Sequence, residues 1–357
     1  MSTSLLVGTK RGLFIVRGDA KRMEWRISAP QLAGREVYHA ISDPRDGSLW
    51  AATDHAVWGA HIHRSTDGGE NWETLESAPH HADDRGLKAI WFLAPGPADE
   101  PETMYAGIEP AGLFVTHDRG ASWEPITAIN DHVTSNTWQP SGGGLSLGSI
   151  QFDPRDRRRM YVAVSAGGVY RTDDGGETWT PCNKGVRTSH LPDTYPASGQ
   201  CVHRVLLHPA NPDRLYQQSH CGVYRSDDRG ESWVEVTSNL PSDFGYALAV
   251  DATNPDVAFV IPEESSHMRA AVDGKLRVFR TRDGGLNWEP LKRGLPQEHA
   301  YVSVLRDAMS SDELEPVGVY FGTSSGNLFV SSNRGETWRQ AAGYLPRIMC
   351  VTTVAPR

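Results

Sequence analysis

Basic charge, paired cysteines and long apolar runs are all scarce in this 357-residue chain. Lys and Arg number 35 against 44 Asp and Glu, a formal charge of −9. Nucleic-acid binding needs a basic face to neutralise phosphates, so no nucleic-acid partner is expected. No 18 apolar residues run together, so neither a membrane-spanning helix nor a membrane partner is expected. The four cysteines, Cys182, Cys201, Cys221 and Cys350, form no CxxC pair. They do not make a disulfide framework, and each reads as a small buried hydrophobe. The first ten residues enter the strand-like SLLVGT with no basic region, apolar core or cleavage site. The expected compartment is therefore the cytoplasm. What the chain does have is 11 Trp, 35 Gly and 23 Pro, a turn-rich composition with enough apolar residues to exclude disorder.

One pattern, Ser/Thr-x-Asp/Asn-x-Gly-x-x-Trp, occurs six times. The copies end at Trp72, Trp123, Trp179, Trp233, Trp288 and Trp338, and a degraded seventh, with Asp19 as its acid, ends at Trp25. Each copy reads as a hairpin turn. The carboxylate accepts backbone N–H groups, the Gly takes φ > 0 and the hydroxyl closes the local network. A second turn recurs upstream at Asp43-Pro44, Ala94-Pro95, Asp153-Pro154, His208-Pro209 and Asp251-Ala252, with Asp307 and Ala355 taken as its equivalents in the remaining units. Each unit then holds four short strands, the content of a propeller blade.

These octapeptides are Asp-boxes, or bacterial-neuraminidase repeats. Over its full length the chain resembles the BNR/Asp-box β-propellers, which include sialidases, tandem-propeller xyloglucanases, sortilin-type receptors and a photosystem II assembly factor. The reading is an all-β, single seven-bladed β-propeller of four-stranded antiparallel blades, one domain spanning 1–357. Blade one comprises 4–28 plus 347–357, so that the C-terminal strand closes the ring on the N-terminal blade. The other blades are 36–76, 86–126, 144–182, 200–236, 243–291 and 299–340. True sialidase activity is not expected, because the units number seven and no N-terminal Arg-Ile-Pro motif is present; Pro346-Arg347-Ile348 has the wrong order and position. Xyloglucanase-like enzymes place a cleft between two propellers, and here there is one.

The two kinds of repeated turn share one rim, which leaves the opposite rim for function. Three segments there are extended: the Trp123–Asp153 connection with Asn136 to Gly144, the Trp179–His208 connection with His190 to Pro196, and the insertion from Pro262 to Lys275. Within repeated two-to-three loops, Glu109 stands where Thr9, Ser165, Ser219 and Thr323 carry hydroxyls. Glu109, His203, Glu263 (or Glu264) and Tyr246 are the catalytic candidates, because a carboxylate pair suits glycoside cleavage. Substrate-binding candidates are Tyr38, His39, His55, Lys88, Trp138, Gln139, Gln200, Arg204 and Tyr301; Trp138 and Tyr195 read equally as stacking platforms or loop core. His39, His203 and His220 are candidate ligands for a divalent metal, although no ligand spacing marks them. Ser141-Gly-Gly-Gly144 is no phosphate loop, since no helix follows it. The expected function is a glycoside-hydrolase-like enzyme acting on a carbohydrate or other small polar molecule. The alternatives are a non-catalytic ligand-binding or assembly propeller and a metal-dependent lyase.

Overall fold

The computed structural model describes residues 3–140 and 144–354; Met1, Ser2, Ser141 to Gly143 and Ala355 to Arg357 lie outside the described residues. It contains seven four-stranded antiparallel sheets, each formed by strands consecutive in the chain except for one. In blade one the last strand, Ile348–Val354, pairs antiparallel with the first, Ser4–Thr9, and supplies the inner strand that the N-terminus lacks. The remaining inner strands are Glu36–Ser42, Ala89–Pro95, Leu147–Asp153, Val202–Leu207, Gly245–Val250 and Met309–Ser311. This pairing completes blade one as a four-stranded sheet like its siblings and joins the two ends of the chain within one blade.

The Asp-boxes fold as the residue types require. In the third copy, Asp174 accepts the Thr172 hydroxyl (2.7 Å), the Thr178 N–H (2.9 Å) and the Thr178 hydroxyl (2.6 Å). The two residues after the Asp both take positive φ, 82° and 102° at Gly175 and Gly176. Asp19 serves the degraded copy in the same way, accepting the N–H groups of Met23 and Glu24. The box tryptophan then packs between blades. The Trp233 indole N–H donates to Cys182 O and that of Trp288 to Val236 O, each reaching back to the preceding blade. Burying one such ring contributes about 5 kcal/mol of gross apolar transfer, which makes these residues the fasteners of the ring.

Blade seven departs from the expected register. Its strand-one turn is built on Asp312, whose carboxylate accepts the N–H groups of Leu314 and Gly318. Asp307 precedes the inner strand and faces the central channel. Tyr301 consequently stands eight residues before that strand, 60% exposed, and not at its start. The upstream segment looked like a strand only because its hydrophobic alternation matches one.

Candidate active site

Six inner strands carry an extra residue near the rim opposite the Asp-boxes. The bulged residues, from blade one to blade six, are Met349, Tyr38, Trp91, Gly148, His203 and Tyr246. A bulge takes its residue out of the ladder and re-aims the side chain. Four of these, Met349, Tyr38, Trp91 and Tyr246, line a single cavity of about 250 Å³ at the channel mouth.

The same register defines two further recurring positions. The first residue beyond strand two pairs with the residue two before the bulge. Backbone bonds of this kind link Lys10 to Arg347, Ser165 to Ser146, His220 to Cys201 and Glu263 to Phe244 (2.8–3.0 Å). Asp54 pairs with Glu36, and Glu109 with Ala89, in the same way. Each of these six blades therefore carries a three-residue cluster at this end, and the identity of its members sets the local chemistry.

Aromatic rings form one wall. Trp91 meets Tyr38 edge to face, with centroids 5.2 Å apart, and the Arg306 guanidinium lies 4.9 Å from the Trp91 ring centre. Carboxylates stand beside it: Glu36, paired with Lys10 at 3.1 Å, and Asp307 at the floor. Asp307 is 3.7 Å from Arg204, whose guanidinium also donates to the carbonyls of Arg306 and Met309. This pair separates the mouth from a second channel cavity on the Asp-box side, which Asp307 also lines. Burial pushes the Asp307 carboxyl above the usual carboxylate range, opposed by Arg204 and Arg306. Among the described residues, Arg269, Arg306 and Arg347 at this mouth have no carboxylate within 4 Å.

The candidates named from sequence fall into three groups. Tyr38 and Tyr246 line the cavity, as does Arg269 from the 262–275 insertion. Glu109 and Lys88 sit just behind it: Glu109 accepts Lys88 Nζ at 2.5 Å and the Trp91 indole N–H at 2.9 Å, so it orients the aromatic wall. Glu263 is fully buried, its Oε1 accepting the Ser303 hydroxyl (2.6 Å) and the Val304 N–H (3.0 Å). Burial raises its pKa to about 7, but its carboxyl ties down the segment before blade seven and has no exposed surface. Glu264 is exposed and accepts the Asp273 N–H.

The others are spent elsewhere. His39 accepts the Leu93 N–H, stacks on Phe92 at 4.1 Å and lines the second channel cavity; burial lowers its pKa to about 3. It does not join His203 and His220, whose third neighbour is Cys201. The proposed three-histidine set is thereby corrected, because His39 follows the bulge and points down the channel. Trp138 is buried, its indole bonded to Tyr170, so the stacking-platform reading fails for it. Gln200 donates to loop carbonyls at Val186 and Pro196 and is also fully buried. Gln139 is exposed on the first long connection, and half-buried His55 holds the turn before Trp58.

Sequence reasoning missed Glu36, Trp91, Arg306 and Asp307. The signal was a polar or aromatic residue one or two places into four of the inner strands (Tyr38, Trp91, His203, Tyr246), which the alternation of strand faces conceals. A larger cavity, about 560 Å³, lies at the Asp-box rim. Its Arg280, Arg282 and Arg334 are all ion-paired to Asp or Glu, so it is an inter-blade ion-pair network.

Comparison with known proteins agrees with the repeat. The family model described as BNR/Asp-box repeat matches residues 170–181. A xyloglucanase from Paenibacillus is 27% identical over 248 residues, 64% of this chain and 23% of that protein. An oligoxyloglucan-reducing end-specific xyloglucanase from Emericella nidulans is 27% identical over 58% of this chain and 28% of its own. The chain thus spans about a quarter of the length of these relatives. Among solved structures, the GH74 xyloglucanase from Xanthomonas campestris superposes with a TM-score of 0.68 at 19% identity, covering 96% of this chain and 53% of the other. The YCF48 propeller from Cyanidioschyzon merolae gives 0.57 at 14% identity, over 99% and 92%. The chain is a seven-bladed β-propeller built on BNR/Asp-box repeats.

Proposed function

We propose that this protein is a glycoside-hydrolase-like enzyme that takes a sugar into the 250 Å³ mouth cavity. The observation that carries the reading is the meeting, in one cavity, of the Tyr38–Trp91 corner with two carboxylates in unlike surroundings. Aromatic faces suit the C–H surface of a pyranose. Glycoside cleavage needs one carboxyl held protonated and a second that is ionised. Asp307, raised by burial, is the proton donor to the leaving oxygen; Glu36, beside Lys10, is the base or nucleophile. Glu109 and Lys88 position Trp91, and Tyr246 closes the far wall. The xyloglucanase relatives support the sugar class. The guanidiniums of Arg269, Arg306 and Arg347, which have no carboxylate partner among the described residues, favour a sugar bearing a carboxylate or phosphate.

The test is a panel of neutral and anionic aryl glycosides and oligosaccharides. Asp307→Asn should lower kcat by about 10²–10⁴, with ligand binding and thermal unfolding close to wild type. Glu36→Gln should lower it comparably. Wild-type turnover that both substitutions leave intact removes the assignment. A second reading, a non-catalytic propeller that captures an anionic ligand, is favoured by the near full-length match to the YCF48 propeller. Binding without turnover of any panel member would select it.

A further inference from the structure

The mouth cluster of blade five differs in kind from its siblings. The three equivalent positions are Glu36, Tyr38 and Asp54 in blade two, and Phe244, Tyr246 and Glu263 in blade six. In blade five they are Cys201, His203 and His220, all with donor atoms that bind borderline or soft metal ions. The ligand-type atoms of these three residues lie within 4.8 Å of one another.

Backbone geometry preorganises this set. Cys201 and His220 are cross-strand partners, joined by the His220 N–H to Cys201 O bond (2.9 Å), and the bulge brings His203 round to the same side. His203 Nδ1 donates to Gly245 O at 2.6 Å. That bond fixes the tautomer, leaving the Nε2 lone pair free to face Cys201 Sγ at 3.7 Å. A tetrahedral zinc site with Zn–S near 2.3 Å and Zn–N near 2.0–2.1 Å has an S···N edge of about 3.5 Å. Cys201 and His203 are thus already at ligand spacing, and His220, half-buried on a hairpin loop, needs a shift of about 1 Å by the same arithmetic. Phe244 and Tyr246 pack against the His203 ring, at 5.5 and 4.5 Å, and hold it in place.

We propose that Cys201, His203 and His220 bind a divalent ion of the zinc class, with a fourth position on the exposed side of His220. Calcium and magnesium are excluded by the donor set, which offers no oxygen. Water completes the coordination at that position. The site stands one side chain behind the sugar cavity, with Tyr246 between, and does not depend on the glycosidase reading.

Cobalt(II) is the probe. Titrating the metal-stripped full chain should give one equivalent with the ligand-field bands of a tetrahedral ion and a near-ultraviolet thiolate charge-transfer band. Cys201→Ser should abolish the charge-transfer band. His220→Ala, at a partly exposed position with little risk to folding, should weaken cobalt binding at least ~10-fold, from the measured sensitivity of such sites to lost support. His39→Ala should bind as wild type. Zinc should raise the melting temperature of wild type and not of His220→Ala. Absence of the charge-transfer band in folded wild type, or its persistence with unchanged affinity in His220→Ala, would overturn the proposal. Sugar turnover unaffected by stripping the metal would leave it standing, since occupancy is read from the spectrum.

Discussion

At the Asp-box rim, Asp67, Asp118, Asp174, Asp228 and Asp283 each accept a Ser or Thr hydroxyl and a backbone N–H in the same pattern. At the opposite rim the side chains that line the mouth differ from blade to blade, and several polar atoms are unmet: Glu263 Oε2, Arg204 Nε and Asp307 Oδ1 have no hydrogen-bond partner among the described residues. The same strands feed both rims. The difference is that turn chemistry is local and satisfies itself within eight residues, whereas the mouth assembles groups from five blades. Local satisfaction stabilises the ring, and its absence at the other end leaves charge available to a ligand.

The largest stability effect expected from this contrast concerns pH, because the rims titrate in opposite senses. Hydrogen bonds hold Asp67, Asp118 and Asp174 at about 2. Their folded pKa lies below the unfolded value, so their contribution is present above about pH 4 and is lost as pH falls toward 2. Glu263 is raised from 4.5 to about 7 by burial. Its contribution is complete below about pH 4.5 and disappears as pH rises to 7, a loss on the order of 3 kcal/mol. Glu263→Gln keeps an acceptor for Ser303 and Val304 but cannot ionise. Urea unfolding from pH 4 to 8 should therefore show the neutral-side decline in wild type and a flatter profile in the variant, with the acid limb unchanged. An identical decline in both would place its origin elsewhere.

At the repetitive rim the expected loss is smaller. The Thr172 hydroxyl donates to Asp174 and accepts the buried Gly176 N–H at 2.9 Å. Thr172→Val preserves the shape and orphans that N–H, which should cost about 1–3 kcal/mol at every pH. The corresponding loss of the Ser325 hydroxyl on the other rim, where among the described residues it bonds only to Thr323 and Asn327, should be too small to measure.

How much of each rim could be read in advance follows from the same contrast. Blade number and ring closure were visible because Asp-box chemistry is written in consecutive residues and repeated. Tyr38, His203 and Tyr246 were visible as polar aromatics at strand starts. Trp91 was not, since within AIWFLAP it looks like any core residue until a bulge turns it inward. Asp307 resembled a turn acid, and only the position of Asp312 shows otherwise. His39 was misplaced by one residue of register, which in a strand reverses the face. Non-local register carries the site, and a single sequence does not display it.

The smallest effect is the one that tests whether the boxes are structural alone. Blade seven already carries Asn333 in the acid position. Its Oδ1 accepts the Ser331 hydroxyl (2.9 Å) and the Thr337 N–H (3.0 Å), while Nδ2 reverses one bond by donating to the Thr337 hydroxyl at 2.9 Å. Asp174 has the same surroundings, with Thr178 in the place of Thr337. Asp174→Asn should therefore change stability at pH 7 by no more than ~0.5 kcal/mol and leave any sugar or metal binding at the far rim untouched. At pH 2–3 the variant should equal or exceed wild type, because it has no carboxylate to protonate. A large loss at neutral pH would mean that the negative charge itself, and not the turn it closes, is what the Asp-box rim requires.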